Sequence, residues 1–214
     1  MQNIIFRDIN EHDLPALKAL IVEAWGEGWN LKRFDQASDL FQALLELYLS
    51  MFLNSSTFGK VAVMEDEIVG AVLCSMNGEA EQFRQLQKDR ISHTLLLLNA
   101  TEAEHTDIVE HLSVSFQAIG KLLENRDNIY DGSLEFIAVS KQAQRVGIGK
   151  SLWNEAAAYF KSKNAKSIYL IADSQCNTGF YDNNGFSKEK TAEAIYNYTT
   201  GRKKFDIYVY EYRF

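Results

Sequence analysis

Cysteine and histidine are scarce in this sequence of 214 residues. The two cysteines, Cys74 and Cys176, stand far apart, and two isolated thiols make neither a disulfide framework nor the ligand spacing of a metal site. The spacing between His105 and His111 fits neither the i,i+3 nor the i,i+4 pairs of a helical metal site. The sequence therefore predicts no disulfide framework and no metal centre.

Long apolar runs, a leader sequence and an excess of basic residues are also missing. The longest apolar runs, such as residues 95–98, are far short of the roughly 20 residues that a membrane helix needs, and the N-terminus lacks the pattern of a secretory signal. The net charge of −7 argues against a nucleic-acid partner. We therefore expect a cytoplasmic globular protein, with no membrane or nucleic-acid partner, whose length fits one domain over 1–214.

Proline occurs once, at Pro15, where the first helix is expected to begin. A proline is tolerated in the first turn because its missing N–H would have no partner there, and the Asp13 side chain can accept a hydrogen bond from the first-turn amides. Hydrophobic periodicity predicts the order of the elements. They are a strand over 3–9, helices from 13 and over 34–52, a hairpin over 58–76, a helical segment over 78–130, a strand over 132–140, a helix to 161, a strand over 167–173, a short helix over 180–186, and strands over 190–198 and 205–214.

The helical segment carries a capping box and an apolar stripe. Thr101 and Glu104 have the capping-box spacing. The stripe that follows keeps the i,i+3/i+4 pattern of one helix face through Ile108, Leu112, Phe116, Ile119 and Leu123. Packing against the rest of the chain and a homodimer contact would both cover this face.

A glycine stretch follows the fourth predicted strand and reads QRVGIGKSLW over residues 144–153. A nucleotide-binding P-loop would need a glycine where Gln144 stands, and a dinucleotide fingerprint would need one where Leu152 stands. Neither motif is therefore present. An ordinary helix start is one interpretation. The other is a helix N-terminus at which Gly147 and Gly149 let backbone amides face a diphosphate, helped by the helix dipole.

Two motifs favour the interpretation of the glycine stretch as a diphosphate site. Residues 144–149 resemble the Q/R-x-x-G-x-G/A motif of the GCN5-related N-acetyltransferase (GNAT) family, which cradles the pyrophosphate of coenzyme A. Phe180-Tyr181 followed by Gly185-Phe186 resembles the family's FY-x-x-x-GF signature. The motifs stand in the family's order and spacing, and the resemblance extends over most of the chain.

The resemblance implies an α/β (α+β) fold. We expect a mixed, mostly antiparallel central sheet of about seven strands flanked by helices. The helical segment at about 78–130 is then an insertion between the third and fourth strands, where family members usually have a short loop.

The resemblance also implies an acyl-CoA-dependent N-acyltransferase. The acetyl group of acetyl-CoA would pass to a primary amine of a small molecule or peptide by direct attack in a ternary complex. A non-catalytic acyl-CoA sensor, or an interaction protein, is the alternative. Two side chains expected to be catalytic, Tyr181 and Glu135, favour the enzyme, because a sensor needs neither of them.

The resemblance implies that coenzyme A binds to the fourth strand, the glycine stretch and two later residues. In the family, the strand backbone pairs with the pantetheine arm and polarises the carbonyl oxygen. Ser174 departs from the family, many members of which have asparagine at that position. The expected coenzyme A ligands are Ile137, Ala138, Val139, Gln144, Arg145, Val146, Gly147, Ile148, Gly149, Lys150, Ser151, Asn177 and Tyr181.

Tyr181 and Glu135 are the catalytic candidates. A phenol and a thiol have similar pKa values, so Tyr181 can donate a proton to the departing sulfur; packing beneath the sheet is its alternative role. Glu135 is a lone carboxylate in an apolar strand, which suits a general base, although it could instead be solvated at the strand's end. For the acceptor, Trp25, Glu27 and Trp29 could form a cation pocket, or the aromatic rings could fill the core.

Overall fold

The computed structural model describes residues 3–86, 100–124 and 129–214. Within these residues seven strands form one sheet, with helices on both faces, so the α/β architecture is as predicted. The strands are β1 (Ile4–Asp8), β2 (Phe58–Met64), β3 (Glu67–Met76), β4 (Gly132–Val139), β5 (Ser167–Asp173), β6 (Ser187–Tyr198) and β7 (Gly201–Arg213). The α-helices are α1 (Leu14–Trp25), α2 (Asp39–Leu53), α3 (Glu102–Leu122), α4 (Ile148–Ser162) and α5 (Thr178–Asn183).

The sheet has the strand order β1-β2-β3-β4-β5-β7-β6, and every neighbouring pair except β4 and β5 is antiparallel. The parallel pairing of β4 with β5 is short, because it covers only Gly132–Leu134 of β4 against Ile168–Leu170 of β5. Beyond this point β5 pairs with β7 alone. The two central strands therefore separate toward their carboxyl ends.

Helices α1 and α2 cover one face of the sheet and α4 covers the other. Leu17 and Leu44, from α1 and α2, share a buried cluster with Phe136 of β4. On the other face, Leu152 and Phe160 of α4 pack with Leu170 of β5. No helix among the described residues is long and apolar enough to cross a membrane.

Helix α3 lies between β3 and β4 in the chain and adds to the layer of α1 and α2. The predicted capping box is present, because Glu104 N donates to Thr101 Oγ1 and Thr101 N donates to Glu104 Oε2. Its buried Leu122 packs in a cluster with Tyr196 of β6 and Val209 of β7, whereas Phe116, which we expected in the stripe, is 54% exposed. The remainder of the predicted helical segment at 87–99 and 125–128 lies outside the described residues.

The start of the first helix differs from the prediction. Asp13 makes no side-chain hydrogen bond to the first-turn amides of α1. It instead accepts hydrogen bonds from Asn10 N and from the Arg7 guanidinium, and Asn10 caps a short 3-10 turn that precedes α1. The proline is in the first turn as expected.

Candidate active site

A cavity of about 710 Å³ opens where β4 and β5 separate. Four segments form its wall: the end of α1, the end of β4, the turn into α4, and the segment from β5 through α5. The size is typical of a site for a small organic ligand. Its lining residues are Glu23, Ala24, Trp25, Ile137, Ala138, Val139, Lys141, Ala143, Gln144, Arg145, Gly147, Gly149, Lys150, Gln175, Cys176, Asn177, Gly179, Phe180, Tyr181, Asn183 and Asn184.

The turn between β4 and α4 presents backbone amides to this cavity. Arg145 and Gly147 both have positive φ, at 65° and 91°, and α4 begins directly after Gly147 with no side-chain cap. The first amide bonded within the helix is Ser151 N, which donates to Gly147 O at 3.0 Å. Because a helix leaves its first N–H groups without internal acceptors, the amides of residues 148–150 can bind an anion.

Gly149 keeps a narrow part of the cavity open. A Cβ atom at this position would lie 3.2 Å from Cε2 of Phe180 and 3.6 Å from Cγ2 of Val139. A larger side chain would therefore fill the space between the turn and α5. At Gly147 there is room for a side chain, but its φ of 91° disfavours any residue with a Cβ.

The charge around the turn suits a phosphorylated ligand. Lys141, Arg145 and Lys150 line the cavity although the chain as a whole carries a net charge of −7. Glu23 is the one carboxylate among the lining residues that the structure describes. Its Oε2 accepts a hydrogen bond from Lys141 N at 2.8 Å, so it fixes the turn against α1. The open amides, the three cations and the space at Gly149 together fit a diphosphate group.

Tyr181 lies in the same cavity, on α5. Its ring packs against Phe186 and Tyr210, with centroid distances of 5.8 and 5.4 Å. Burial, followed by the nearby Cys176 thiol and Asp173 carboxylate, raises the pKa of the Tyr181 hydroxyl above its ordinary value. The hydroxyl keeps its proton at neutral pH, as an ordinary phenol does, so it can donate a proton. The shift, however, removes the match with the pKa of a thiol that we expected from the sequence.

Cys176 stands next to Tyr181 and also lines the cavity. Burial, with the Asp173 carboxylate as the second cause, raises the pKa of its thiol to about 12. The neighbouring Trp25 side chain has a smaller and opposite effect on this pKa. Since the thiolate is the reactive form of cysteine, Cys176 is not a nucleophile at neutral pH.

Glu135 is not among the lining residues. A β-bulge lies here: Leu73 and Cys74 of β3 pair with Phe136 and Leu134, so Glu135 is the extra residue. Its Oε1 accepts a hydrogen bond from Ser133 Oγ. Leu134 packs on the α4 side and Phe136 on the side of α1 and α2, so the bulge interrupts the alternation of β4 at Glu135. The role of Glu135 as a base stays a prediction.

Most of the predicted cofactor ligands meet at the cavity. Those lining it are Ile137, Ala138, Val139, Gln144, Arg145, Gly147, Gly149, Lys150, Asn177 and Tyr181. Three others do not line it: Val146 is 59% exposed, Ile148 is buried in the core, and Ser151 uses its amide within α4. Ser174 forms two hydrogen bonds with β7: Ser174 N donates to Asp206 O, and Asp206 N donates to Ser174 Oγ.

Sequence reasoning missed Glu23, Ala24, Lys141, Gln175 and Cys176 as cavity residues. The first two come from the end of α1, more than a hundred residues from the glycine turn, and no local motif marks that contact. Lys141 could have been found, because a cation a few residues before a diphosphate turn suits the ligand's charge.

Of the two alternatives for Trp25, Glu27 and Trp29, the structure supports packing of the aromatic rings in the core. Trp25 stacks on Trp29 with a centroid distance of 5.2 Å, and both pack against Phe52. The Glu27 side chain is exposed. Of the three residues, Trp25 alone lines the cavity.

Comparisons with known proteins agree with this geometry. The sequence model of the acetyltransferase (GNAT) family matches residues 14–186. A search of the curated proteins finds no match.

Solved structures share the fold at low identity. A ribosomal-protein-alanine N-acetyltransferase from Brucella melitensis is 15% identical, with a TM-score of 0.55 over 98% of this chain and 99% of its own. NAA60 from Arabidopsis thaliana, in complex with a bisubstrate analogue, is 18% identical, with a TM-score of 0.54 over 99% and 98%. The PaiA N-acetyltransferase from Thermoplasma acidophilum, in complex with coenzyme A, is 14% identical, with a TM-score of 0.50 over 99% of both chains. With the family model matched over most of its length, the chain belongs to the acetyltransferase (GNAT) family.

Proposed function

We propose that this protein is an acetyl-CoA-dependent N-acetyltransferase that acetylates a primary amine of a small molecule or peptide in a ternary complex. One observation carries the proposal. A single cavity joins the open amides at the start of α4, the free edge of β4 and the hydroxyl-bearing Tyr181.

Two sets of cavity residues would bind two different parts of coenzyme A, the diphosphate and the extended arm. The amides of residues 148–150, with Arg145 and Lys150, would hold the diphosphate. The edge of β4 from Glu135 onward has no pairing with β5 in the described structure, so Ile137–Val139 can pair with an extended arm as another strand would. When bound, acetyl-CoA supplies the acetyl group as an activated thioester.

Tyr181 supplies the proton. Its hydroxyl is protonated at neutral pH, as a phenol of ordinary pKa also is, and this is the form required of a general acid. The raised pKa makes it a weaker acid, so the support for this role is its place in the cavity. The Trp25 and Phe180 rings line the same cavity, and apolar rings beside a bound thioester would limit competing hydrolysis. Loss of the proton from the attacking amine is assigned to Glu135 or to solvent.

The acceptor is proposed only as a class. The Brucella melitensis structural neighbour is named for the alanine of a ribosomal protein, and another neighbour is a NatC complex bound to Gag peptide and CoA, which supports a peptide amine. The sequence identities to these proteins are too low to assign their substrates to this chain. A small-molecule amine is therefore proposed as the alternative to a peptide amine.

Two measurements on the full chain test the proposal. Isothermal titration calorimetry measures the affinity for coenzyme A and acetyl-CoA, and a thiol-release assay measures turnover with a panel of peptide and small-molecule amines. Binding with amine-dependent thiol release supports the enzyme. Binding without turnover on any amine contradicts the transferase and favours a sensor, and failure to bind coenzyme A contradicts both.

A further inference from the structure

Trp25 and Tyr181 both lie next to Cys176 at the cavity. The Trp25 ring packs against Phe136, whose neighbour on β4 is Ile137, one of the expected ligands of the cofactor arm. The Cys176 thiol lies close enough to Tyr181 to help raise the pKa of its hydroxyl, after the larger effect of burial. Trp25, Tyr181 and Cys176 all line the cavity. Since Tyr181 is the proposed proton donor to the sulfur, Trp25 borders the part of the cavity where the acyl group would lie.

The Trp25 ring is held in place by its neighbours. It stacks on Trp29 at 5.2 Å with an interplanar angle of 16°, and its centroid lies 5.4 Å from that of Phe136 and 6.0 Å from that of Phe52. A ring packed against three aromatic neighbours cannot turn away to admit a larger ligand without disturbing the core.

The space behind Trp25 is filled by apolar groups. Phe52, Trp29 and Phe136 belong to the buried aromatic cluster between α1, α2 and β4. An alkyl chain would be stable there if the Trp25 ring were absent, because apolar surfaces would surround it.

From these contacts we infer that Trp25 limits the length of the acyl chain that the cavity accepts, because its ring forms the wall between the cavity and the buried aromatic cluster. This inference rests on the proposed function and adds to it the acyl specificity. Cys176 does not take up the acyl group, since its thiol stays neutral.

The test measures the affinity of the full chain for coenzyme A, acetyl-CoA, butyryl-CoA and hexanoyl-CoA by isothermal titration calorimetry, with no acceptor amine. For the wild type we expect hexanoyl-CoA to bind at least tenfold more weakly than acetyl-CoA. In Trp25→Ala this ratio falls below threefold, while the affinity for unacylated coenzyme A changes by less than threefold.

A milder variant keeps the test decisive if Trp25→Ala does not fold. Trp25→Phe should reduce the preference for acetyl-CoA over butyryl-CoA at least threefold. The matched control is Trp153→Phe, the same substitution at a buried tryptophan that packs on Phe186 and does not line the cavity. It should leave the preference unchanged.

Three results would overturn the inference. They are equal binding of acetyl-CoA and hexanoyl-CoA by the wild type, an unchanged preference in Trp25→Phe, or an equal change in Trp153→Phe. A wild type that binds no coenzyme A would instead overturn the proposed function, so the two failures are distinguishable.

Discussion

The backbone amide of Thr199 lies 2.6 Å from Oδ1 of Asp107 and donates a hydrogen bond to it. Thr199 is in the turn between β6 and β7, and Asp107 is a carboxylate on α3 that is only 2% exposed. Asp107 Oδ2 accepts from Thr199 Oγ1 at 3.1 Å and forms an ion pair with Arg33, from the segment between α1 and α2. One buried carboxylate thus joins three separate parts of the chain.

We predict that Asp107→Ala lowers the free energy of unfolding by about 3 kcal/mol, because it leaves the half-buried Arg33 charge without this partner. Urea denaturation followed by circular dichroism measures the change. Glu102→Ala, at an exposed position on the same helix, is the control and should lose less than about 1 kcal/mol. Equal losses in the two variants would show that the contacts of Asp107 add nothing to stability.

Gly149→Val should weaken the binding of coenzyme A at least tenfold. The Cβ alone would come within 3.2 Å of Phe180, and the branched side chain would occupy the cavity beside the amides. Gly120→Val is the matched control, since Gly120 is an exposed position of α3 where an added Cβ would have no neighbouring atom within 4 Å. Calorimetric titration with coenzyme A checks both, and tight binding by Gly149→Val would exclude the turn as the diphosphate site.

Tyr181→Phe should lower kcat by a factor of about 100, the lower end of the usual contribution of a general acid, while the affinity for coenzyme A changes little. The measurement is thiol release with whichever amine the panel identifies. Tyr210→Phe is the control, because it removes a buried hydroxyl that has no hydrogen-bond partner among the described residues, from a ring 5.4 Å away. Unchanged turnover in Tyr181→Phe would refute its role as proton donor.

Local patterns were sufficient to predict the order of the elements and the uncapped start of α4 after Gly147. The turn chemistry of Gly147 and Gly149 is encoded within a few residues, and so is the capping box of Thr101 and Glu104. These features depend on backbone conformations and hydrogen bonds between neighbours in sequence. The sequence was therefore enough to locate the start of α3 and of α4.

Features that depend on tertiary contacts could not be predicted in the same way. Strict alternation along β4 would put Leu134 and Phe136 on one face, but the bulge at Glu135 puts them on opposite faces. The cavity wall at Trp25 arises from the packing of α1 against β4, which no periodicity in α1 alone specifies.

The last prediction concerns the pH dependence of stability. His111 of α3 is 5% exposed, its Nδ1 lies 2.8 Å from the hydroxyl of Tyr198, and its ring stacks on Tyr196. Burial lowers the pKa of His111 to about 4, against an ordinary value of 6.5. Between these values the unfolded chain binds a proton that the folded chain does not, so the free energy of unfolding falls as the pH is lowered.

We expect this one group to account for a loss of about 3 kcal/mol between pH 6.5 and 4, since one pKa unit corresponds to about 1.4 kcal/mol. Urea denaturation at a series of pH values measures it, in the wild type and in His111→Gln, which cannot titrate in this range. The variant is less stable at pH 7, because it loses the packing on Tyr196, but its stability should decline less steeply toward pH 4. If the free energy of unfolding depended on pH equally in the two proteins, His111 would be protonated in the folded state at its ordinary pKa. The fold would then tolerate a charge on the buried face of α3.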